Sequence, residues 1–289
     1  MKRWFIGATF ALFSMAALAL QPYVSATKVA AGDLKTVMAA VEQKLTAEGF
    51  VVVGRHMPKG LPDYGVVVVT DKGLTEALKQ LGGTAVVGIP IRVGVKKDGT
   101  VSYENLEYWE RGYIRNDYAK IDEAAKAVDA KLEKALGANK LFGGDVKAED
   151  LPKYHYMFGM EYFDERSDLK EYGSFDEAVK AVGDNLAKGV AQTSKVYEVV
   201  LPEKKIAVFG VATNDPNLGE SWWVTKIGAG HIAALPWEVF VVDKKVMALY
   251  GRFRTALAWP QLGMGEFMSI SNHPDTTLKM MQAVAGVAE

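Results

Sequence analysis

The stretch Ala85-Val-Val-Gly-Ile-Pro-Ile-Arg-Val-Gly-Val95, continued by Lys96-Lys-Asp-Gly-Thr-Val101, has a counterpart further along the chain. There the sequence reads His231-Ile-Ala-Ala-Leu-Pro-Trp-Glu-Val-Phe-Val241, then Val242-Asp-Lys-Lys-Val246. Pro90 aligns with Pro236 at an offset of 146 residues, and Val101 with Val246 at 145. Both stretches read as strand, tight turn at Asp98-Gly99 or Asp243-Lys244, and strand, because apolar β-branched runs are broken by turn-forming residues. The matched proline suits a strand start or a bulge, where no ladder donor is required.

The flanks agree with a repeated unit. Leu34, Val37, Met38, Val41 and Leu45 have helical spacing, and a strand from Phe50 to Met57 follows. In the second copy Ser174-Phe-Asp-Glu177 is a capping box that opens a helix with Ala178, Val179, Val182 and Leu186 inward. Strands Lys195 to Leu201 and Lys205 to Ala212 come next. Each copy closes with a helix, striped by Ile121, Ala125, Val128 and Leu132 in the first and by Leu278, Met281, Val284 and Ala285 in the second.

Copy one therefore reads helix, strand, strand (Tyr64 to Thr70), helix (Leu74 to Leu81), strand, strand, helix. In copy two the middle helix is expected to give way to an irregular stretch from Asn214 to Gly230, with an insertion from Trp259 to Asn272. The expected class is α+β: two tandem two-layer α/β sandwich domains, 27–136 and 174–289, packed as a pseudo-dimer. An aromatic and charged linker, 137–173, joins them. The alternative is one continuous mixed sheet shared by both halves.

The runs Tyr64–Thr70, Leu74–Leu78, Val86–Pro90 and Val93–Val101 resemble the domain-of-unknown-function family numbered 302. That resemblance implies a small α+β fold that pairs as a dimer, with a Leu-Pro-Cys-Asn-Val type segment in its core. Here the segment is Ile89-Pro90-Ile91-Arg92-Val93 in copy one and Leu235-Pro236-Trp237-Glu238-Val239 in copy two. Neither carries the cysteine, so a thiol role suggested for relatives has no counterpart. The resemblance spans both halves and implies a fold and a pairing habit, not an activity.

Composition narrows the chemistry. The 289 residues are 49% hydrophobic and 24% charged, which fits a globular chain and excludes disorder or a polytopic membrane protein. The chain has no cysteine, which excludes thiol nucleophiles, disulfides, iron–sulfur clusters and thiolate zinc sites. A formal net charge of -1, with Lys and Arg dispersed, argues against nucleic acid as partner.

Lys2 and Arg3 precede an apolar run from Trp4 to Leu20, and Val24-Ser25-Ala26 follows Pro22. This is the pattern of a signal peptide over 1–26, with cleavage expected after Ala26 and a second junction at Ala17-Leu18-Ala19. The expected location is periplasmic or secreted, without membrane insertion after cleavage.

Two constellations carry candidate chemistry. The linker concentrates Tyr154 and Tyr156, and copy two adds Trp222, Trp223 and Trp237. Aromatics in irregular segments line ligand clefts or plug two domains together, and Arg252 would supply a handle for an anion. The second constellation pairs imidazole with thioether: His155, Met157, Met160, Met264, Met268 and His273. Such ligands suit copper in the reduced state, or haem as axial donors.

Other motifs point less far. Gly228-Ala-Gly-His-Ile-Ala233 matches the dinucleotide fingerprint only loosely, since that motif opens a helix after a strand. Ser271-Asn272-His273-Pro274-Asp275 holds hydrolase residue types, but adjacency is not triad geometry, and Asp275 is expected to cap the last helix. Asp164, Glu165 and Asp168 read as a charged loop. The sequence thus points first to an exported, non-enzymatic binding or accessory protein with its site near the interface of the copies. The partner is a small molecule or a protein, and no cofactor is required. A copper or haem binder stands second and a hydrolase third.

Overall fold

The computed structural model describes residues 19–163 and 167–287. The first part of the expected export signal and the carboxylates Asp164 and Glu165 lie outside the described residues. The fold is α+β with separate sheets.

In chain order the first segment holds β1 (Ala19–Leu20), β2 (Tyr23–Ser25), α1 (Leu34–Ala47), β3 (Val51–His56), β4 (Tyr64–Thr70), α2 (Lys72–Leu81), β5 (Ile91–Lys96), β6 (Val101–Glu104), α3 (Leu106–Ile114) and α4 (Asp122–Leu136). Then come β7 (Lys140–Phe142), β8 (Val146–Lys147) and β9 (Ser167–Glu171). The second segment holds α5 (Phe175–Lys188), β10 (Thr193–Leu201), β11 (Ile206–Thr213), α6 (Glu220–Ile227), β12 (Trp237–Val242), β13 (Lys245–Ala248), α7 (Gly251–Ala258), α8 (Met264–Ser269) and α9 (His273–Val284).

The strands form two antiparallel sheets, ordered β3-β4-β5-β6-β2-β7 and β10-β11-β12-β13-β9, while β1 pairs with β8 alone. The second order repeats the first position by position up to β7. One mixed sheet shared by both halves is therefore excluded.

Local signals start α1, α2 and α5 close to where the sequence placed them. Asp33 accepts from Thr36 N to open α1, which buries Val37, Met38, Val41 and Leu45. Asp71 accepts from Gly73 N and Leu74 N to open α2. Ser174 Oγ accepts from Glu177 N at 3.2 Å, and Glu177 reaches back to Gly173 N at 3.0 Å, one residue before the expected partner. The Asp98-Gly99 turn forms with Gly99 at φ +82, a left-handed conformation that glycine adopts without strain.

Several expectations are corrected. The strands of the quoted stretches begin at Ile91 and Trp237, because Gly83–Gly88 and Ala229–Ala234 are 3₁₀ turns that precede them. The middle helix of copy two is retained as α6; its run of tryptophans has no amphipathic period to announce it. Helices α3 and α7, unexpected, follow β6 and β13. They bury nearly all round, so periodicity fails there too. Asp275 lies in the first turn of α9, but the cap is Asn272 and no side-chain cap bond forms.

Each sheet is covered on both faces, which explains why β4, β5, β11 and β12 are buried along nearly their whole length. On one face of the first sheet, α1 packs so closely that a Cβ on Gly65 would stand 2.7 Å from Met38 Sδ. On the other face the Ala229–Ala234 turn of the second segment packs against β4, β5 and β6. The Gly83–Gly88 turn of the first segment packs against β11 and β12 in return.

The edges of the expected domains shift as well. Tyr23–Ser25, ahead of residue 27, is an interior strand between β6 and β7. Within 137–173, β7 joins the first sheet and β9 the second. These strands are too short to show a period in sequence.

Candidate functional site

Between the two segments lies a dry ionic centre. Arg92 on β5 donates through its backbone N to Glu104 Oε2 at 2.7 Å and through Nη1 to Glu104 Oε1 at 3.0 Å. Its Nη2 donates to Glu238 Oε2 on β12 at 3.0 Å. Arg254 on α7 donates from Nε to Glu238 Oε1 at 2.9 Å and from Nη2 to Ala234 O at 2.8 Å, with its guanidinium 4.9 Å from the Trp109 ring centre. All four charged residues are at most 3% exposed.

Burial opposes charge on Arg92, but Glu104, Tyr197 and Glu238 outweigh it and hold its pKa well above the ordinary value. Burial also raises Glu110, on α3 behind Gly88, well above the carboxylate range, and the nearby Glu104 charge adds to this. The cavity beside this centre, between Trp237, Arg254, Pro274 and Met281, measures about 10 Å³ and is too small for an organic ligand. The centre joins the segments.

An open groove of about 640 Å³ also spans the two segments. Lys59 and Gly60, in the β3–β4 loop, form one wall, and Asn214, Ser221, Trp222 and Lys226 form the other. Lys226 Nζ stands 4.1 Å over the Trp222 ring and donates to Ser269 O at 3.0 Å. Among the described lining residues there is no acidic side chain, so the groove is positive. Under it, His56 Nε2 of β3 meets Glu220 Oε1 of α6 at 2.6 Å, both nearly fully buried. This contact fixes α6, and with it Trp222, against the first segment. A planar apolar surface flanked by ammonium groups is chemically suited to an aromatic or unsaturated anion.

A second groove, of about 570 Å³, takes in Tyr154, His155 and Tyr156 with Asp145, Asp150 and Lys153. The tyrosine hydroxyls there are already engaged: Tyr154 donates to Ala256 O at 2.9 Å and Tyr156 to Leu262 O at 3.1 Å. The Tyr156 ring stacks on Phe267 at 4.7 Å. Here the linker aromatics act as pegs on the second segment, and the groove charges are mixed.

The six expected cleft residues thus separate. Tyr154 and Tyr156 share one groove and Trp222 lies in another. Trp223 and Trp237 are 1% and 6% exposed and pack in the core around His273. Arg252 is paired with Glu161 at 2.9 Å and approaches Asp275 at 3.8 Å.

The members of the thioether–imidazole set differ in their surroundings. His273 is fully buried, with Nδ1 at 3.0 Å from Thr277 Oγ1 and Nε2 at 3.3 Å from Thr255 Oγ1. Burial lowers its pKa to about 3. His155 accompanies Met157 O at 2.7 Å and the Tyr162 ring at 4.5 Å, while Met157, Met264 and Met268 are exposed. Met160 is half-buried. No cluster of three or more His, Asp or Glu suited to a metal occurs among the described residues. With both ring nitrogens beside threonine hydroxyls inside the core, His273 offers no free donor to a copper or haem site. The same bonds take His273 out of a hydrolytic triad, and Asp275 turns to Arg252 instead.

Residues that sequence reading missed are Arg92, Glu104 and Glu238 in the centre and Lys59 and Lys226 in the groove. A signal existed for two of them: Arg92 and Glu238 are opposite charges at matched positions of largely apolar strands. None existed for the lysines, which meet only in three dimensions. Compared with family models, curated proteins and solved structures, the chain matches none.

Proposed function

We propose that this is an exported binding protein in which two copies of one α+β unit, resembling the family numbered 302, pair within a single chain and hold a small organic anion in the groove between them. The observation that carries this reading is the groove walled by Lys59 and Gly60 of one unit and by Trp222 and Lys226 of the other. The matched strand orders and the reciprocal packing of the two 3₁₀ turns support duplication. An isologous pair of units places such a cleft at its seam.

Export rests on Lys2, Arg3 and the apolar run behind them. The sheet position of Tyr23–Ser25 favours the junction after Ala19 over the one after Ala26, because the later cut would remove an interior strand.

The test is a titration of the ¹⁵N-labelled protein with benzoate and phenyl phosphate, following the indole N–H signals. The expected result is a saturable shift of the Trp222 signal, identified by its absence in Trp222→Phe, and a weaker response in Lys226→Ala. Shifts confined to other indoles, or none up to millimolar probe, would sink the reading.

A further inference from the structure

The contacts at the seam of the two units have a pattern of their own. Strand registers place Val68 opposite Arg92 and Gly210 opposite Glu238, so Arg92 and Glu238 occupy corresponding positions. Gly54 lies opposite Val68, and Tyr197 opposite Gly210, so these two also correspond. Asn105 and Tyr250 are the caps of α3 and α7, which makes Gly112 and Leu257 a third corresponding pair.

Each of these pairs is in contact. Arg92 and Glu238 are hydrogen-bonded at 3.0 Å. A Cβ on Gly54 would stand 2.9 Å from Tyr197 Cβ and 2.6 Å from Val196 O. A Cβ on Gly112 would stand 2.9 Å from Leu257 Cδ1. In a two-fold interface only positions on the axis touch their own counterparts. Three such pairs trace a local axis through β3/β10, β5/β12 and α3/α7.

At every one of these positions the two units differ in a complementary way. The first presents glycine, glycine and arginine; the second presents tyrosine, leucine and glutamate. We infer that this face is a heterotypic interaction surface, shaped to accept the opposite unit and to reject a second copy of itself. Two first units would set Arg92 against Arg92 across two glycine voids. Two second units would set Tyr197 against Tyr197, Leu257 against Leu257 and Glu238 against Glu238. Unpaired buried like charges and overpacking both disfavour such contacts. The partner this surface fits is the other half of the same chain, so the seam is closed to further copies while the groove beside it stays open to solvent.

The inference rests on the pairing of the units and not on the ligand, so a negative titration leaves it untouched. The inference itself is tested by exchanging the side chains of one axial pair in the full chain: Gly112→Leu, Leu257→Gly, and both together.

The expected result is that each single variant lowers the melting temperature, one by collision and one by a void. The double variant should recover more than half of the combined loss and run as wild type by light scattering. Helix propensity cancels in the exchange, since glycine moves from one helix to another. If the singles do not fold, a cooperative melt in the double gives the same answer. A contact inside one unit serves as control: Gly65→Met with Met38→Gly joins positions that no two-fold relates, and no recovery is expected. Additive losses in the axial exchange, or equal recovery in the control, would overturn the inference.

Discussion

Arg92 and Glu238 stand at corresponding places in two strands 146 residues apart in sequence, and they bind each other at 3.0 Å with water excluded. The Glu238 carboxylate also takes Arg254 Nε and lies 3.5 Å from the Tyr113 hydroxyl. Two guanidinium groups therefore share this carboxylate, and Glu104 serves Arg92 besides.

Glu238→Gln is expected to cost about 3–5 kcal/mol, because removing one partner of a buried pair leaves the others uncompensated. Glu110→Gln, equally buried, should change stability little, since burial and the neighbouring Glu104 already disfavour a charge there and the amide keeps the shape. Urea unfolding of both variants checks the contrast. Equal losses would show that burial alone, not charge balance, sets the cost.

His273 ties stability to pH. Burial lowers it from 6.5 to about 3, so below its ordinary pKa the unfolded chain takes up a proton that the folded chain refuses. Stability is full above that pKa and falls as pH drops toward 3, with a slope approaching about 1.4 kcal/mol per pH unit. His231, lowered to about 4 by burial, acts with the same sign. His273→Gln should be less stable near neutrality yet lose less on acidification. Urea midpoints at neutral and mildly acid pH measure this, and parallel pH curves for both proteins would contradict it.

In the groove, Lys59→Ala and Lys226→Ala should each weaken benzoate or phenyl phosphate binding by roughly tenfold, about 1.4 kcal/mol. Their unfolding midpoints should stay unchanged, because both side chains are exposed and neither is part of the core. Calorimetry with the phosphate probe decides, and undiminished affinity in both variants would place binding elsewhere.

The amino end makes a prediction about processing. Tyr23 is fully buried, donates to Ala258 O at 3.0 Å and rests 4.9 Å from the His231 ring. A chain beginning at Leu20 is expected to unfold cooperatively, whereas one beginning at Thr27 is expected to lack a cooperative transition. Mass spectrometry of protein recovered from the exported fraction should give Leu20 as first residue. A stable, cooperative Thr27 chain would remove the argument for the earlier junction.

The legible parts of this protein are those that short-range physics controls. The cap at Ser174, the stripe Val37-Met38-Val41-Leu45 and the turn at Gly99 are local, and sequence located them. The strand and turn pattern of the stretches around Pro90 and Pro236 announced an α+β chain. Helices α3 and α7 escaped because burial on all sides erases their period. Strands β2 and β9 escaped because three to five residues carry too little alternation.

The site follows the same division. Sequence named Trp222 as an aromatic available to a ligand, and it does lie in a groove. Trp223, one residue on, points into the core instead, since neighbours on a helix face different ways. His273 offered the residue type of a metal ligand, and only its enclosure by Thr255, Thr277 and two tryptophans decides otherwise. Sequence by itself determined the α+β class and the helices and turns that local caps, stripes and glycines control. Tertiary structure alone decided which face each unit turns to the other, and so which charges are buried together and which lysines are left facing solvent. The reason is that burial and pairing are properties of distance in space, and Lys59 and Lys226 are neighbours only after both sheets have closed on each other.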